Sequence, residues 1–260
     1  MATTTGITPA MAATITRMTI DPARLMRLQG WLSPAFPIGA YSYSHGLEWA
    51  VETGDVRDRA TLVDWLEADL RFGAGRADGI FFAEAWRAAP GKESLSGAAE
   101  TDADNRRDIV SVAELAVAMR GIAEFALESG QQGVAFLAAV RKAWPHPELE
   151  RLANALRIAG ITPVLPVAAG IACAVHGIPL DFALPLYLHA GAANLINAAV
   201  RLVPLGQSDG QMALAALEAA IAETAAEALQ TDISGIGSAA FMIDIASMQH
   251  ETQYTRLFRS

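Results

Sequence analysis

Five histidines and one cysteine are the side chains of this sequence best suited to binding a transition metal. Cys173 and His176 are three positions apart, which would place both on one face of a helix. A thiolate and an imidazole suit nickel or zinc, but a closed structural site needs four ligands and this apolar stretch offers two. Cysteine also packs as a small hydrophobe. We therefore predict no closed metal site, and keep nickel binding through Cys173 and His176 as the alternative.

Motifs for nucleotide binding and for metal- or thiol-based catalysis do not occur in the sequence. It contains no G-x-x-x-x-G-K-[ST] loop that would hold phosphates, no H-E-x-x-H and no C-x-x-C. Gly73-Ala-Gly75 has no lysine or hydroxyl after it, so it predicts a helix interruption. A Ser-His-Asp triad needs a histidine oriented by a carboxylate, and the sequence singles out no such pair. We predict that the protein has no catalytic residue, needs no cofactor and is not an enzyme.

The end of the chain is rich in the residue types that dominate binding hot spots, which are aromatic residues and arginine. In a helix, Tyr254, Leu257 and Phe258 would share one face at positions i, i+3 and i+4. Arg256 and Arg259 stand beside this stripe. The pattern fits a terminal helix that docks on the core of its own chain, and it equally fits a surface that binds a partner.

Residues Phe36 to Trp49 form a turn pinned by proline and glycine, with several aromatic side chains. The turn could bury Tyr41 and Tyr43 simply to join two helices, or it could present tyrosine and histidine edges to a partner. Both hold if alternate residues face inward and outward. For His45, which lies close in sequence to Glu48, we predict a hydrogen-bonded structural role rather than a ligand or a base.

Charge and composition exclude several classes of protein. The formal net charge is −9 and no basic stripe occurs, so a nucleic-acid partner is not expected. A single cysteine excludes an intramolecular disulfide framework and fits the reducing cytoplasm. Hydrophobic residues make up 52% of the chain, and much of this content is alanine, which favours helices.

Two uncharged stretches are each about as long as a membrane-spanning helix, Ile158 to Leu180 and Phe182 to Val200. The first is interrupted by prolines and glycines, and the second contains a proline, a histidine and two asparagines. The connection between them is also short. We predict two helices buried inside a bundle, and no membrane span.

Capping residues and hydrophobic periodicity predict an all-α, single-domain bundle of about ten helices. The predicted N-terminal caps are Asp21 and Asp58 for the first helices, and Ser208 or Asp209 for the helix that follows them. Residues 1–20 are predicted to be a mobile leader, residues 21–237 the all-α domain, and residues 238–260 a docking segment that follows a Gly235-Ile-Gly237 hinge. Pro90 to Asp108 reads as a linker. The predicted helices are Pro22–Leu32, Leu47–Gly54, Asp58–Phe72, Asp78–Ala88, Ile109–Leu127, Gln131–Trp144, Pro147–Ala159, Pro166–Val175, Phe182–Val203 and Gly210–Leu229.

Three blocks of the sequence resemble the UreF family of urease accessory proteins. They are Ser33 to Trp49 (SPAFPIGAYSYSHGLEW), Val200 to Gln211 (VRLVPLGQSDGQ) and His250 to Ser260 (HETQYTRLFRS). The blocks occur in the order expected for that family. The resemblance implies partner-binding roles for residues in all three blocks, namely Tyr41, Tyr43, His45, Glu48, Arg201, Gln207, His250, Glu251, Tyr254, Arg256, Leu257, Phe258 and Arg259.

The resemblance also implies what the protein does. UreF proteins form all-α homodimers, bind the accessory protein UreD/UreH, recruit and gate the GTPase UreG, and dock on urease apoprotein. They assist insertion of nickel at the carbamylated lysine of urease, while nucleotide, magnesium and nickel belong to the partners. One departure is that Ala123 and Ala126 stand where relatives often carry arginines, so contacts that depend on those arginines are not expected here. For the docking segment, we expect deletion of Thr252 to Ser260 to abolish UreD/UreH binding without unfolding the chain.

Overall fold

A computed structural model describes residues 20–89 and 108–260. The predicted leader and linker lie outside these ranges, except for Ile20 and Asp108. Within them the chain forms twelve α-helices and no strand, which confirms the all-α prediction. The helices are α1 (Pro22–Trp31), α2 (Leu47–Glu52), α3 (Arg59–Phe72), α4 (Ala74–Ala88), α5 (Ile109–Ala118), α6 (Ala123–Ala143), α7 (Pro147–Ile158), α8 (Leu165–Val175), α9 (Leu180–Leu202), α10 (Gln207–Ala216), α11 (Glu218–Gln230) and α12 (Phe241–His250).

Helix α8 lies at the centre of the bundle, packed against α4 and α6. Every residue from Pro166 to Ala174 is buried, as predicted for the first of the two uncharged stretches. The second prediction is wrong in part, because α9 is buried on one side only and Leu186, Gly191 and Asn197 are exposed. Glycines allow the close approach, since a Cβ at Gly170 would lie 2.5 Å from the carbonyl oxygen of Phe82 on α4. Among the described residues, no helix is both long enough and apolar enough to cross a membrane.

The N-terminal caps predicted for the first long helices are confirmed. The Asp21 side chain accepts a hydrogen bond from the N–H of Ala23 at the start of α1. Asp58 and Thr61 form a reciprocal capping box at the start of α3. The cap predicted at Ser208 or Asp209 is wrong, because α10 begins at Gln207 after Gly206. Asp209 instead accepts a hydrogen bond from the N–H of Gly206.

Two helix boundaries predicted within the range of α5 and α6 are wrong. The predicted break near Gly130 does not occur. Ser129 and Gly130 lie against residues 162–165 of the same chain: the Ser129 hydroxyl accepts a hydrogen bond from the N–H of Leu165, and a Cβ at Gly130 would lie 3.5 Å from the Thr162 side chain. The break falls earlier, between Ala118 and Ala123, where Arg120 turns inward to pair with Asp78.

Two further helices differ from their predicted bounds. Helix α4 begins at Ala74 rather than Asp78, because the Asp69 carboxylate accepts a hydrogen bond from the N–H of Ala74 across the glycine break. The predicted helix from Gly210 to Leu229 is divided into α10 and α11 at Leu217, which is fully buried.

The segment from Ser238 to Ser260 packs on the bundle. The N–H of Ala239 donates to the carbonyl oxygen of Phe72 at the end of α3 (2.7 Å), and α12 then packs against α2 and α6. A Cβ at Gly46 would lie 2.8 Å from the backbone nitrogen of Ser247, so the turn before α2 and α12 are in close contact. This packing brings the end of the chain to the Phe36–Trp49 turn.

Candidate functional site

The buried side chain of Glu48, on α2, holds the end of the chain. Its Oε1 accepts a hydrogen bond from the N–H of Leu257 (2.6 Å), and its Oε2 accepts one from the N–H of Phe258 (2.9 Å). The Nε2 atom of His250 lies 3.1 Å from the same Oε2. Hydrogen bonds to an ionised acceptor are roughly twice as strong as neutral ones. Glu48 therefore anchors both α12 and the residues after it to α2.

His250, the last residue of α12, is completely buried between two carboxyl groups. Its Nε2 faces Glu48, and its Nδ1 lies 2.9 Å from an oxygen of Glu124 at the start of α6. Arg256 also reaches Glu124, at 3.2 Å. Burial raises the pKa of Glu124 above its usual range, although the hydrogen bond from His250 and the charge of Arg256 oppose this. The cluster joins three helix ends: those of α2, α6 and α12.

The last two residues pair with the turn that precedes α2. The N–H of Arg259 donates to the carbonyl oxygen of Ser42 (2.8 Å). The N–H and the hydroxyl of Ser44 both donate to the carbonyl oxygen of Ser260, each at 2.6 Å. The hydroxyl of Ser260 in turn donates to Glu128 on α6 (2.9 Å). The first and third of the resembling blocks therefore lie side by side.

Arg201 brings the second block to the same place. Its guanidinium group lies over the ring of Phe258, 4.3 Å from the centroid, and donates to the carbonyl oxygen of Tyr41 (2.7 Å). Phe258 is buried beneath it. A contact of this kind contributes about 0.5–1 kcal/mol at an exposed site. Gln207, from the same block, is exposed in the first turn of α10 and lies outside this hydrogen-bonded cluster.

His45 is hydrogen-bonded and largely enclosed, an environment that fits the structural role predicted for it. Its ring stacks on Phe125 with centroids 3.8 Å apart, and its Nδ1 lies 3.3 Å from an oxygen of Glu128. Burial lowers the pKa of His45, but the hydrogen bond and negative charge of Glu128 outweigh burial and raise it overall. His45 also adopts a positive φ of 57°, a costly conformation for a residue with a side chain.

The tyrosines of the turn face in opposite directions. Simple alternation of inward and outward residues is wrong here, because it would put residues two positions apart on the same side, whereas Ala40–Ser42 form a tight 3-10 turn. Tyr43 is buried and its hydroxyl donates to Gln131 on α6 (2.5 Å), which Arg259 also reaches at 3.5 Å. Tyr41 is 70% exposed. Only Tyr41 of this pair offers its ring to solvent.

The predicted helical stripe of Tyr254, Leu257 and Phe258 is wrong. Helix α12 ends at His250, and the remaining residues form turns. The anchoring of consecutive N–H groups by Glu48 holds this backbone outside a helix. As a result Phe258 points into the protein, whereas Tyr254 and Leu257 point outward and are 103% and 63% exposed. Glu251 is exposed just after α12.

Helix α12 is apolar on its outward face as well as on its inward face. Ile243, Ala246 and His250 are buried against the bundle. The residues of the opposite face, which we call the outward face, are large, apolar and exposed: Phe241, Met242, Ile245 and Met248. Such a face is uncommon on a protein surface unless something binds it. Together with Tyr254 and Leu257 it is the candidate binding surface.

A cavity of about 650 Å³ borders the site from within the bundle. It reaches from Leu25 of α1 and Leu186 of α9 to a charged wall that contains Asp69, Arg120 and Glu128. Arg120 is held there by its ion pair with Asp78. His45 and Glu128 belong both to this wall and to the cluster that holds the end of the chain.

Cys173 and His176, the pair kept as the alternative nickel ligands, lie in surroundings that disfavour their ligand roles. Burial raises the pKa of the Cys173 thiol far above its usual range, which favours the neutral form. Burial and the charge of Arg27 lower the pKa of His176 to about 4, and Arg27 occupies its Nδ1 at 3.0 Å. Within residues 20–89 and 108–260, no three His, Cys, Asp or Glu side chains are placed to hold a metal ion.

Residues Gly206 to Gly210 match the pattern G-x-S-x-G, which surrounds the serine nucleophile in α/β-hydrolases. That motif requires a strand followed by a sharp turn and a helix. Here Ser208 lies in the first turn of α10, after an extended link from α9, and the described part of the chain contains no strand. The segment joins α9 to α10, and the N–H of Gly206 donates a hydrogen bond to the Asp209 carboxylate there (3.1 Å).

Comparison with known proteins identifies the family. The UreF family model matches residues 56–218. The chain is 51% identical over 238 residues to a urease accessory protein UreF of Rhodopseudomonas palustris, an alignment that covers 92% of this chain and 94% of that protein. It is 47% identical over 241 residues to a urease accessory protein UreF of Bradyrhizobium diazoefficiens, covering 92% and 93% of the two chains. The chain belongs to the UreF family.

This membership confirms the resemblance drawn from the three sequence blocks. The matched range contains the Val200–Gln211 block, while α2 and α12 lie outside its two ends. The site of this UreF-family chain also contains residues that motif reasoning missed, chiefly Glu124 and Glu128 on α6. Their spacing of four positions, which puts two carboxylates on one helix face, was the available signal.

Proposed function

We propose that this UreF-family protein is a non-catalytic scaffold for urease maturation in the cytoplasm. It binds the accessory protein UreD/UreH, recruits and gates the GTPase UreG, and promotes nickel incorporation into urease apoprotein. Nickel and nucleotide are held by the partners. The names of its relatives, which are urease accessory proteins, support this role.

The observation that carries the proposal is the outward face of α12. Four large apolar side chains lie exposed along ten residues, and the turns after the helix add Tyr254 and Leu257. Burying a large apolar side chain against a partner is worth roughly 1.5–3 kcal/mol before the costs of association. We assign this surface to UreD/UreH.

The two arginines of the terminal segment contribute at the rim of this surface. Arg256 and Arg259 are exposed. Arg256 pairs with Glu124, whereas Arg259 contacts the neutral side chains of Gln131 and Tyr43. A guanidinium group can bind a carboxylate through two parallel hydrogen bonds. We propose that both bind acidic side chains of the partner. Glu48, His45 and His250 are buried, and their role is to hold the surface in place.

The experiment that tests this assignment places a charge on the outward face. We expect Ile245→Lys to weaken binding of purified UreD/UreH by at least tenfold, because a lysine buried in an apolar interface loses hydration without gaining a partner. Ile158→Lys is the matched control, since Ile158 is an exposed isoleucine at the end of α7, far along the chain from α12. Equal binding by both variants and the wild type would contradict the assignment.

A further inference from the structure

The carboxylate of Glu48 is placed to control the candidate binding surface without being part of it. The side chain is only 8% exposed, whereas the Leu257 side chain, whose N–H it binds, is mostly exposed. The same carboxylate also contacts His250, the last residue of the helix that carries the outward face. One buried group therefore fixes the end of α12 and the position of Leu257 relative to each other.

The chemistry of this anchor requires two acceptor oxygens. Oε1 is used by the N–H of Leu257, while Oε2 is used by the N–H of Phe258 and faces His250. A glutamine has the same shape but only one oxygen, and its NH₂ group would face a backbone N–H. A donor opposed to a donor in a buried position breaks the pairing. Glu48→Gln should therefore release the segment although it changes little else.

The hydrogen bonds around Glu48 extend its effect to the rest of the segment. The Ser44 hydroxyl lies 3.3 Å from the N–H of Glu48 and donates to the carbonyl oxygen of Ser260. Phe258, whose N–H Glu48 binds, is buried under Arg201. Loss of the Glu48 anchor thus removes the backbone attachment that lies between the contact of Arg201 with Phe258 and the hydrogen bond of Ser44 with Ser260.

We propose that Glu48 is the positioning residue of this surface: it fixes the exposed residues of the terminal segment against α12 in the arrangement that UreD/UreH binds. The partner part of this inference rests on the proposed function. The anchoring part concerns the free chain alone.

Hydrogen–deuterium exchange of the full chain without partner tests the anchoring. In Glu48→Gln we expect the amides of Leu257 and Phe258 to exchange about tenfold faster or more, because one of the two hydrogen bonds is replaced by a donor facing a donor and the other loses its charged acceptor. Glu52→Gln is the matched control, since Glu52 lies exposed on the same helix. Unchanged exchange in Glu48→Gln overturns the proposal.

The binding arm uses the same samples with purified UreD/UreH. We expect weaker binding by Glu48→Gln, about tenfold or more, at an unchanged far-UV circular dichroism spectrum. A variant that releases the segment yet binds like the wild type overturns the positioning role and leaves the proposed function standing. A wild-type chain that does not bind UreD/UreH overturns the proposed function, and the exchange result then decides the anchoring alone.

A second pair of variants changes Leu257, the donor of the hydrogen bond, instead of Glu48, the acceptor. The test of the anchor then does not depend on whether Glu48→Gln folds. Leu257→Pro removes the N–H that Glu48 Oε1 binds, whereas Leu257→Ala keeps that N–H and shortens only the exposed side chain. We expect fast exchange at Phe258 in the proline variant and wild-type exchange in the alanine variant. Wild-type protection of Phe258 in both overturns the anchor.

Discussion

At the residue scale, buried carboxyl groups differ in how well the fold satisfies them. Glu48 has two backbone N–H donors and a histidine. Asp69 on α3 is also buried and has backbone N–H donors at Ala74 and Gly75, but its histidine neighbour, His45, is more distant, at 3.9 Å. Burial therefore raises the pKa of Asp69, with a smaller opposing effect of His45.

This raised pKa predicts how stability depends on pH. Because the folded state binds the proton of Asp69 more tightly than the unfolded state, the free energy of unfolding falls as pH rises above the ordinary value of 3.8 and through the raised pKa. Asp69→Asn keeps an acceptor for Ala74 and removes the charge. We expect it to raise the melting temperature at pH 8 and to flatten its decline between about pH 4 and 8.

Thermal melts of the wild type and of Asp69→Asn across this pH range check the prediction. Asp64→Asn serves as the control, since Asp64 is exposed on the same helix. A lower melting temperature of Asp69→Asn at pH 8 would show that the charge of Asp69 stabilises the fold.

The sequence predicts several residue roles but not their partners. The hydrogen-bonded role of His45 follows from its polar neighbours. The opposite directions of Tyr41 and Tyr43 do not follow from alternation, because a 3-10 turn at Ala40–Ser42 replaces it. The pairing of Glu48 with Leu257 and Phe258 joins residues about 210 positions apart. Such a pairing depends on how α2, α6 and α12 meet, which no local pattern encodes. The helical stripe failed for the same reason, since a distant carboxylate determines the backbone of residues 251–260.

At the element scale, helix starts were predicted well where a side chain caps its own helix, as Asp21 and Asp58 do. Helix ends were predicted poorly where tertiary contacts override local propensity. Gly130 resembles a breaker, yet α6 continues through it because a small residue fits beside Thr162. The sequence did not single out the outward face of α12, because large apolar residues occur on both sides of the helix and polar residues, such as Ser247 and Gln249, also occur on both.

Because α6 packs closely on the residues at the start of α8, adding one methyl group at Gly133 should lower the stability of the protein. A Cβ at Gly133 would clash with the carbonyl group of Pro163, which cannot move freely because it belongs to the backbone. We expect Gly133→Ala to destabilise the protein by about 1–3 kcal/mol. Gly191→Ala is the control: Gly191 lies inside α9 with no atom within 4 Å of the added Cβ, so alanine should be neutral or stabilising. Chemical denaturation of both variants measures the difference, and equal stability would contradict this packing.

Deletion of Thr252 to Ser260 tests the terminal segment as a unit. The deleted residues are not helical, so the far-UV circular dichroism spectrum should stay unchanged. Loss of the buried Phe258 should remove roughly 1.5–3 kcal/mol, equivalent to a fall of about 3–12 °C in melting temperature. We expect binding to UreD/UreH to be lost well below the melting temperature of the shortened chain. A shortened chain that still binds UreD/UreH would show that α12 alone is sufficient.

At the scale of the whole molecule, the UreF-family chain is a bundle with a buried core and apolar side chains left on its surface. Besides the outward face of α12, Leu25, Met26 and Leu186 are exposed on α1 and α9. We propose that the chain forms a homodimer, in which some of this surface is covered by a second copy. The outward face of α12 then remains for UreD/UreH.

The most direct test of the scaffold role is the mass of the complex in solution. The wild-type chain is mixed with purified UreD/UreH and UreG in detergent-free buffer and analysed by size exclusion with light scattering. We predict that the chain alone is a dimer and that it forms a larger complex with UreD/UreH. UreG should join only when the chain and UreD/UreH are both present. Separate elution of the chain and UreD/UreH at micromolar concentrations would contradict it.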